Sequence, residues 1–116
     1  TVADELGVAG RTLAVPCDLR DEAATRAMVR TAVEQLGRLD IVVHTAAFVG
    51  TTKVPGWAVP FDQQTVEAWD AALRVNLTSV FVIAQEARAA LEAGGARVTD
   101  SHWLDVRPGR ARHARV

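Results

Sequence analysis

Polar side chains follow apolar runs at two points of the sequence where they could take part in chemistry. Asp18 ends the mostly apolar stretch TLAVPC, and His44 and Thr45 follow the apolar run LDIVV. Ala46 and Ala47 come next, and small residues at the end of a strand let another group approach the backbone closely. The alternative for this pair is a plain exit from strand to loop. Asp18 could contact a ligand, or it could cap the helix that follows it.

Asn76 is a third polar residue in an unexpected place, because it lies inside a long segment of helical periodicity. The Asn amide competes with backbone hydrogen bonds, so Asn76 either faces solvent or has a packing role. The chain has no tyrosine, and Lys53 is its single lysine. Acid-base chemistry within this chain must therefore proceed without a Tyr base or a second Lys. His102 and His113 stand apart from any His, Cys and Asp grouping with metal-ligand spacing, so we predict no metal site.

The composition is that of one globular domain. The chain has 116 residues, of which 49% are hydrophobic and 23% charged, and its net charge is -1. This balance favours neither nucleic acid nor an anionic membrane as a partner, and no apolar run is long enough to span a bilayer. The lone Cys17 excludes an internal disulfide and is interpreted as a small buried hydrophobe. We expect a soluble, cytoplasmic protein.

Helices and strands alternate along the sequence. The segment VADELG is predicted to end a helix, TLAVPCDL to form a strand, and residues 21–37 to form a helix with Asp21 at its start and Gly37 at its end. A four-residue spacing predicts that this helix faces the core through Ala24, Met28, Ala32 and Leu36. The run LDIVVHT is predicted to be a strand buried on both faces, as in parallel sheets.

A long Gly- and Pro-containing loop with the aromatic residues Trp57 and Phe61 precedes the second helix, and Trp69 lies early in that helix. The helix is predicted from about Val66 to Leu91, with Thr65 as its N-cap. Its core face is predicted to comprise Leu73, Leu77, Val80, Ala84, Ala87 and Leu91. ARVT then starts a third candidate strand. These elements indicate an α/β fold with a partial doubly wound, Rossmann-type parallel sheet in three layers.

The stretches CDLRDEAATRAMVRTAVEQLGRLDIVVHTAA and TVEAWDAALRVNLTSVF together resemble the short-chain dehydrogenase/reductase (SDR) family. Four features in the right order carry the resemblance. They are an Asp ending one strand, Gly-Arg-Leu-Asp leading into the next, a small-residue turn, and Val-Asn-Leu-Thr inside the long helix. The resemblance covers roughly residues 2–98 and implies the central part of an NAD(P)-binding Rossmann domain.

The resemblance also implies roles for the polar residues. Asp18 matches the family's carboxylate that receives the adenine amino group, and Leu19 matches the apolar residue beside the ring. His44, Thr45, Ala46 and Ala47 match a segment, typically Asn-Asn-Ala-Gly, that packs under the adenine-ribose side of NAD or NADP. Asn76 matches an Asn at a helix distortion, which supports a proton relay to the catalytic Lys.

Hydride transfer in this family, between the nicotinamide and a small alcohol or carbonyl substrate, uses a Ser, a Tyr and a Lys. This chain offers no Tyr-x-x-x-Lys, and the family's Gly-rich phosphate loop should precede Thr1. Residues 99–116 form an Arg-rich tail without a period, which we interpret as non-native or disordered sequence. The leading hypothesis is a fragment of an NAD(P)-dependent SDR.

Two other functions remain open from the sequence. One is a non-catalytic remnant or dimerisation module that forms a homo-oligomer through the 66–92 helix, the element through which family members often dimerise. The other is nucleic-acid binding through the tail, which its arginines without interleaved aromatics do not favour.

Overall fold

The fold is known from a computed structural model, which describes residues 12–94 and the backbone of residues 97–100 and 105–106. Three strands and three α-helices are present there, with one π-helical turn and one 3₁₀ turn. In chain order they are α1 (Glu22–Leu36), β1 (Ile41–His44), the 3₁₀ turn (Phe61–Gln63), α2 (Val66–Leu73), the π turn (Arg74–Thr78), α3 (Ser79–Gly94), β2 (Arg97–Asp100) and β3 (Asp105–Val106). The predicted helix end in VADELG, His102, His113 and most of the tail lie outside the described residues.

Helix α1 begins and ends where the sequence predicts. The Asp21 side chain accepts a hydrogen bond from the backbone N–H of Ala24, which caps the first turn. Gly37 ends the helix with φ of 82°, and its N–H bonds to the carbonyl of Val33. The predicted core stripe is correct in part. Met28 packs against the core and Ala24 and Ala32 are half-buried, but the fully buried positions are Thr25 and Val29, and Leu36 is exposed. A four-residue step advances 400° around the helix, so it does not by itself determine which neighbouring row faces inward.

The long helix is interrupted at its middle. Thr65 caps α2 as predicted, by accepting from the N–H of Ala68. The helix then passes through the π turn and continues as α3. A π turn inserts one residue into the helical ladder and shifts the faces on either side relative to each other. For this reason the predicted face holds in α3, where Val80, Ala87 and Leu91 are buried, but fails at Leu73 and Leu77, which are exposed.

The described strands form one sheet in the order β1-β2-β3. β1 pairs with β2 in parallel, from Ile41 opposite Arg97 to His44 opposite Asp100, and the connection contains α2, the π turn and α3. β2 pairs with β3 antiparallel. This gives a β-α-β unit, although its first strand is β1 and not the predicted TLAVPCDL strand.

Two strand predictions are wrong in detail. Residues 12–18 lie outside any strand, and they do not pair with the described sheet of β1, β2 and β3. The β1 strand is not buried on both faces, since Ile41 and Val43 are 65% and 61% exposed while His44 is buried. Described helices therefore cover only one face of β1.

The core lies between α1 and α3. Val29 from α1 packs with Ile83, Ala87 and Leu91 from α3, and partly buried residues surround this cluster: Leu19, Met28, Val33, Leu39, Val42 and Ala84. Glu86 on α3 accepts hydrogen bonds from Arg26 and Arg30 on α1, at 3.0 and 2.8 Å. The two helices therefore pack against each other through an apolar cluster and two ion pairs.

Candidate functional site

An open groove of about 630 Å³ lies where residues 16–19 meet the helices. Its lining is mostly apolar, with one carboxylate at its edge, and consists of Pro16, Cys17, Asp18, Leu19, Ala24 and Val75. Ala24 comes from the first turn of α1, and Val75 comes from the π turn. A groove with apolar walls and one fixed acceptor suits a flat ring that carries a polar donor.

Asp18 does not cap α1, since Asp21 holds that position. Its carboxylate instead accepts four hydrogen bonds from Arg20. The backbone N–H of Arg20 donates to Oδ1 at 3.0 Å, Nε lies 3.0 Å from Oδ1 and 3.1 Å from Oδ2, and Nη2 donates to Oδ2 at 2.6 Å. These bonds from the Arg20 side chain and backbone lower the pKa of Asp18 to about 2.

The Asp18 carboxyl should accordingly titrate well below the ordinary range. In the parent chain, the NMR signal of this carboxyl should have its midpoint below the ordinary 3.8. The stabilisation from this pair is fully present above the unfolded pKa and is lost as pH falls from 3.8 towards 2. Arg20→Met should raise the midpoint towards 3.8. An unchanged midpoint in that variant would show that Arg20 is not the cause.

His44 links the end of β1 to the helix. It is buried, and its Nε2 lies 2.9 Å from Oγ of Ser79. Ser79 donates its single hydroxyl hydrogen to the carbonyl of Val75 at 2.7 Å. Nε2 of His44 therefore carries a hydrogen and donates to the Ser79 oxygen. These two hydrogen bonds connect the end of β1 to Val75, the π-turn residue that lines the groove.

Asn76 makes a second link between the strand exit and the π turn. Its Oδ1 accepts a hydrogen bond from the backbone N–H of Phe48 at 2.7 Å. The alternative that Asn76 faces solvent is therefore wrong. The π turn, which often marks functional sites, turns this side chain towards the loop that contains Thr45, Ala46 and Ala47.

Removing the Asn76 acceptor should loosen this loop. Asn76→Leu leaves the Phe48 N–H without its partner and should cost about 1–2 kcal/mol of unfolding free energy. Asn76→Asp keeps an oxygen in place and is the matched control, with a much smaller loss. Urea denaturation measures the stability, and amide hydrogen exchange at Phe48 reports the bond. Equal losses in both variants would contradict the assignment.

Trp57 anchors the long loop that follows. Its indole N–H donates to the carbonyl of Val49 at 2.9 Å, and its ring meets Phe48 edge-on with centroids 5.5 Å apart. Phe61 and Trp69 are exposed and make no such anchor. Of these three aromatic residues, Trp57 alone therefore anchors the loop.

The structure groups the sequence-predicted residues around the π turn. Asp18 and Leu19 line the groove with Val75, while His44 and the loop of Thr45, Ala46 and Ala47 are held by Ser79 and Asn76. Sequence reasoning missed Arg20 and Ser79. Arg20 could have been found as a cation two residues from Asp18. Ser79 gave no signal, because its spacing from His44 has meaning only after folding.

Among the residues that the structure describes, no group of three or more His, Cys, Asp and Glu could hold a metal ion. In the same part of the chain, no helix has the length and apolar character needed to cross a bilayer.

Comparisons with known proteins identify the family. A family model described as enoyl-(acyl carrier protein) reductase matches residues 1–110. The 4-formylbenzenesulfonate dehydrogenase of Comamonas testosteroni is 40% identical over 86% of this chain and 38% of its own length. An uncharacterized NAD-dependent oxidoreductase of Mycobacterium tuberculosis is 34% identical over 90% of this chain and 37% of its own.

The solved structures agree with these relatives. A short-chain dehydrogenase from Burkholderia cenocepacia J2315, in complex with NADP, superposes with a TM-score of 0.71 at 31% identity. The match covers 85% of this chain and 37% of that one. The chain belongs to the short-chain dehydrogenase/reductase family, has a partial Rossmann-type fold, and spans less than two fifths of the length of these relatives.

Proposed function

We propose that this chain supplies the adenine half of the cofactor site in an NAD(P)-dependent oxidoreductase that transfers hydride between the nicotinamide and a small alcohol or carbonyl substrate. The observation that carries the proposal is the groove with Asp18 at its edge and Leu19 in its wall. The carboxylate is ionised at neutral pH and can accept from an exocyclic amino group, and the apolar walls suit the ring.

The chain's own residues would bind and orient the cofactor. Asp18 would accept the adenine amino group, and Leu19 and Val75 would contact the ring. His44 and Asn76 would hold the strand exit, so that Thr45, Ala46 and Ala47 present their backbone to the adenine-ribose side. When bound, the nicotinamide supplies the hydride chemistry. We assign Asn76 a supporting role in a proton relay. The Tyr-x-x-x-Lys pattern that completes such a relay does not occur in this sequence.

Thermal unfolding of the chain with and without millimolar NAD and NADP tests the proposal. A ligand that binds only the folded state raises the midpoint by mass action, so either cofactor should shift it upward. Asp18→Ala should remove much of the shift, whereas Asp62→Ala, in an exposed turn away from the groove, should not. No shift with NAD, NADP or AMP would reject the adenine half-site, and the larger of the two cofactor shifts would indicate which one the site prefers.

The same chain has a surface that favours a second function, association with another copy of itself. Four exposed apolar residues recur at four-residue intervals along α2, the π turn and α3, and are 41 to 63% exposed: Trp69, Leu73, Leu77 and Phe81. We infer that this row is the contact of a homo-oligomer formed through the 66–92 helix. Sedimentation should show self-association that Leu77→Glu abolishes, and a monomeric parent chain at high concentration would refute it.

We propose the doubly wound, three-layer arrangement, with residues 1–98 as the central part of an NAD(P)-binding Rossmann domain and residues 99–116 as an Arg-rich tail whose first two residues belong to β2. Residue 98 lies within β2, and the backbone of Asp105–Val106 pairs with that strand. Limited proteolysis that removes residues 107–116 without loss of the folded unit would support the division.

A further inference from the structure

Arg20 occupies the acceptor that the proposed adenine site needs. Its guanidinium reaches both oxygens of Asp18, through Nε at 3.0 and 3.1 Å and Nη2 at 2.6 Å. Its backbone N–H takes a further position on Oδ1 at 3.0 Å. A carboxylate offers about four lone-pair sites, so these bonds leave little capacity for another donor.

An adenine amino group that approaches Asp18 meets this guanidinium. Both groups present N–H hydrogens, which carry positive partial charge and repel each other. We propose that Arg20 is an affinity-determining residue of the adenine site, because it competes with the amino group for the Asp18 carboxylate. This inference rests on the proposed function and adds a residue to it.

An adenine nucleotide can displace the Arg20 guanidinium from the Asp18 carboxylate. The side chains of Asp18 and Arg20 are each 52% exposed, and exposed ion pairs contribute little because water screens them. The cost of displacing Arg20 should lower the affinity for an adenine nucleotide by about two- to fivefold, the range that such pairs imply. Leu19 and Val75 in the groove wall are not disturbed by this exchange.

The chain contains a matched pair elsewhere. Arg38 binds Asp40 across the same two-residue spacing, with Nε at 2.7 Å from Oδ2 and Nη2 at 2.6 Å from Oδ1. This pair lies between α1 and β1, and neither residue lines the groove. Arg38→Met therefore makes the same change in charge and removes the same kind of ion pair without touching the proposed site.

The experiment compares AMP with IMP by isothermal titration calorimetry on the parent chain, Arg20→Met and Arg38→Met. IMP carries an acceptor oxygen where AMP carries the amino group, so it offers Asp18 no exocyclic donor and keeps only the N1–H at the neighbouring ring position, while the phosphate and ribose are the same. The ratio of the two dissociation constants cancels any general effect of charge or stability. Arg20→Met should raise the preference for AMP over IMP about two- to fivefold. Arg38→Met should leave it unchanged.

The outcomes separate this inference from the proposed function. AMP binding with an unchanged or reduced preference in Arg20→Met overturns the role of Arg20 and leaves the adenine site standing. A raised preference in both variants also overturns it, because the effect would not be local. No AMP binding by the parent or by either variant rejects the adenine site and this inference with it.

Discussion

Leu91→Ala should lower the free energy of unfolding by about 2–5 kcal/mol, the largest effect expected of any single change described here. Leu91 is 2% exposed and closes the cluster of Val29, Ile83 and Ala87 that joins α3 to α1. Removing its branched end leaves a cavity between two helices, and the Arg bonds to Glu86 hold those helices in place and limit their collapse into it. Urea denaturation followed by circular dichroism gives the difference.

Leu36→Ala is the control for this prediction. The chemical change is identical, but Leu36 lies in the last turn of α1 and is 37% exposed, so less apolar surface returns to water. Its cost should be less than half that of Leu91→Ala. Equal costs would mean that the α1–α3 cluster is not the core of this chain.

Gly56→Ala should be the second most damaging change, at about 2–3 kcal/mol. Gly56 has φ of 76°, where a side chain costs about 1–2 kcal/mol. A Cβ there would also lie 2.6 Å from Oγ1 of Thr65, the atom that caps α2. The helix cap would have to move, which adds about 1 kcal/mol.

Gly50→Ala, in the same loop, separates these causes from a general effect of the extra methyl group. Nothing lies within 4 Å of the Cβ that it would carry, and its φ is outside the positive range. It should therefore be neutral or slightly stabilising, by up to about 1 kcal/mol. Thermal unfolding of both variants measures the difference in stability. Similar losses of stability in the two variants would show that the contact between position 56 and Thr65 has no special role.

The sequence predicts local structure well where local chemistry determines it. The ends of α1 at Asp21 and Gly37 and the start of α2 at Thr65 follow from hydrogen bonds within a few residues. The predicted burial of Leu73 and Leu77 fails because a π turn shifts the helix face, and the pattern of apolar residues does not reveal that insertion. The two-sided burial predicted for β1 fails because burial depends on what covers the other face of the sheet.

The candidate site shows the same division. The resemblance to the SDR family implies a cofactor contact for Asp18 and a supporting role in a proton relay for Asn76. The groove and the Phe48 bond locate these side chains and do not test those roles. The two-residue spacing makes Arg20 a candidate partner of Asp18, but no sequence pattern gives the geometry of that pair or shows that Ser79 fixes the hydrogen on His44. Such contacts depend on side-chain directions that are set only when the π turn and β1 come together.

The parallel pairing of β1 with β2 has a consequence for how the chain folds. Its register joins residue 41 to residue 97, about half the chain length apart, and the connection contains the loop, α2, the π turn and α3. Contacts between residues so far apart in sequence form slowly, because closing the connection costs conformational entropy before the hydrogen bonds of the sheet can offset that cost. The α1–α3 contact brings the end of α3, and thus the start of β2, close to β1. A Cβ added at Gly94 would lie only 3.0 Å from the carbonyl oxygen of Leu39, which shows how closely the two backbones approach. Helix docking should therefore precede the sheet, and the alignment of the His44 and Asn76 links should be among the last events of folding.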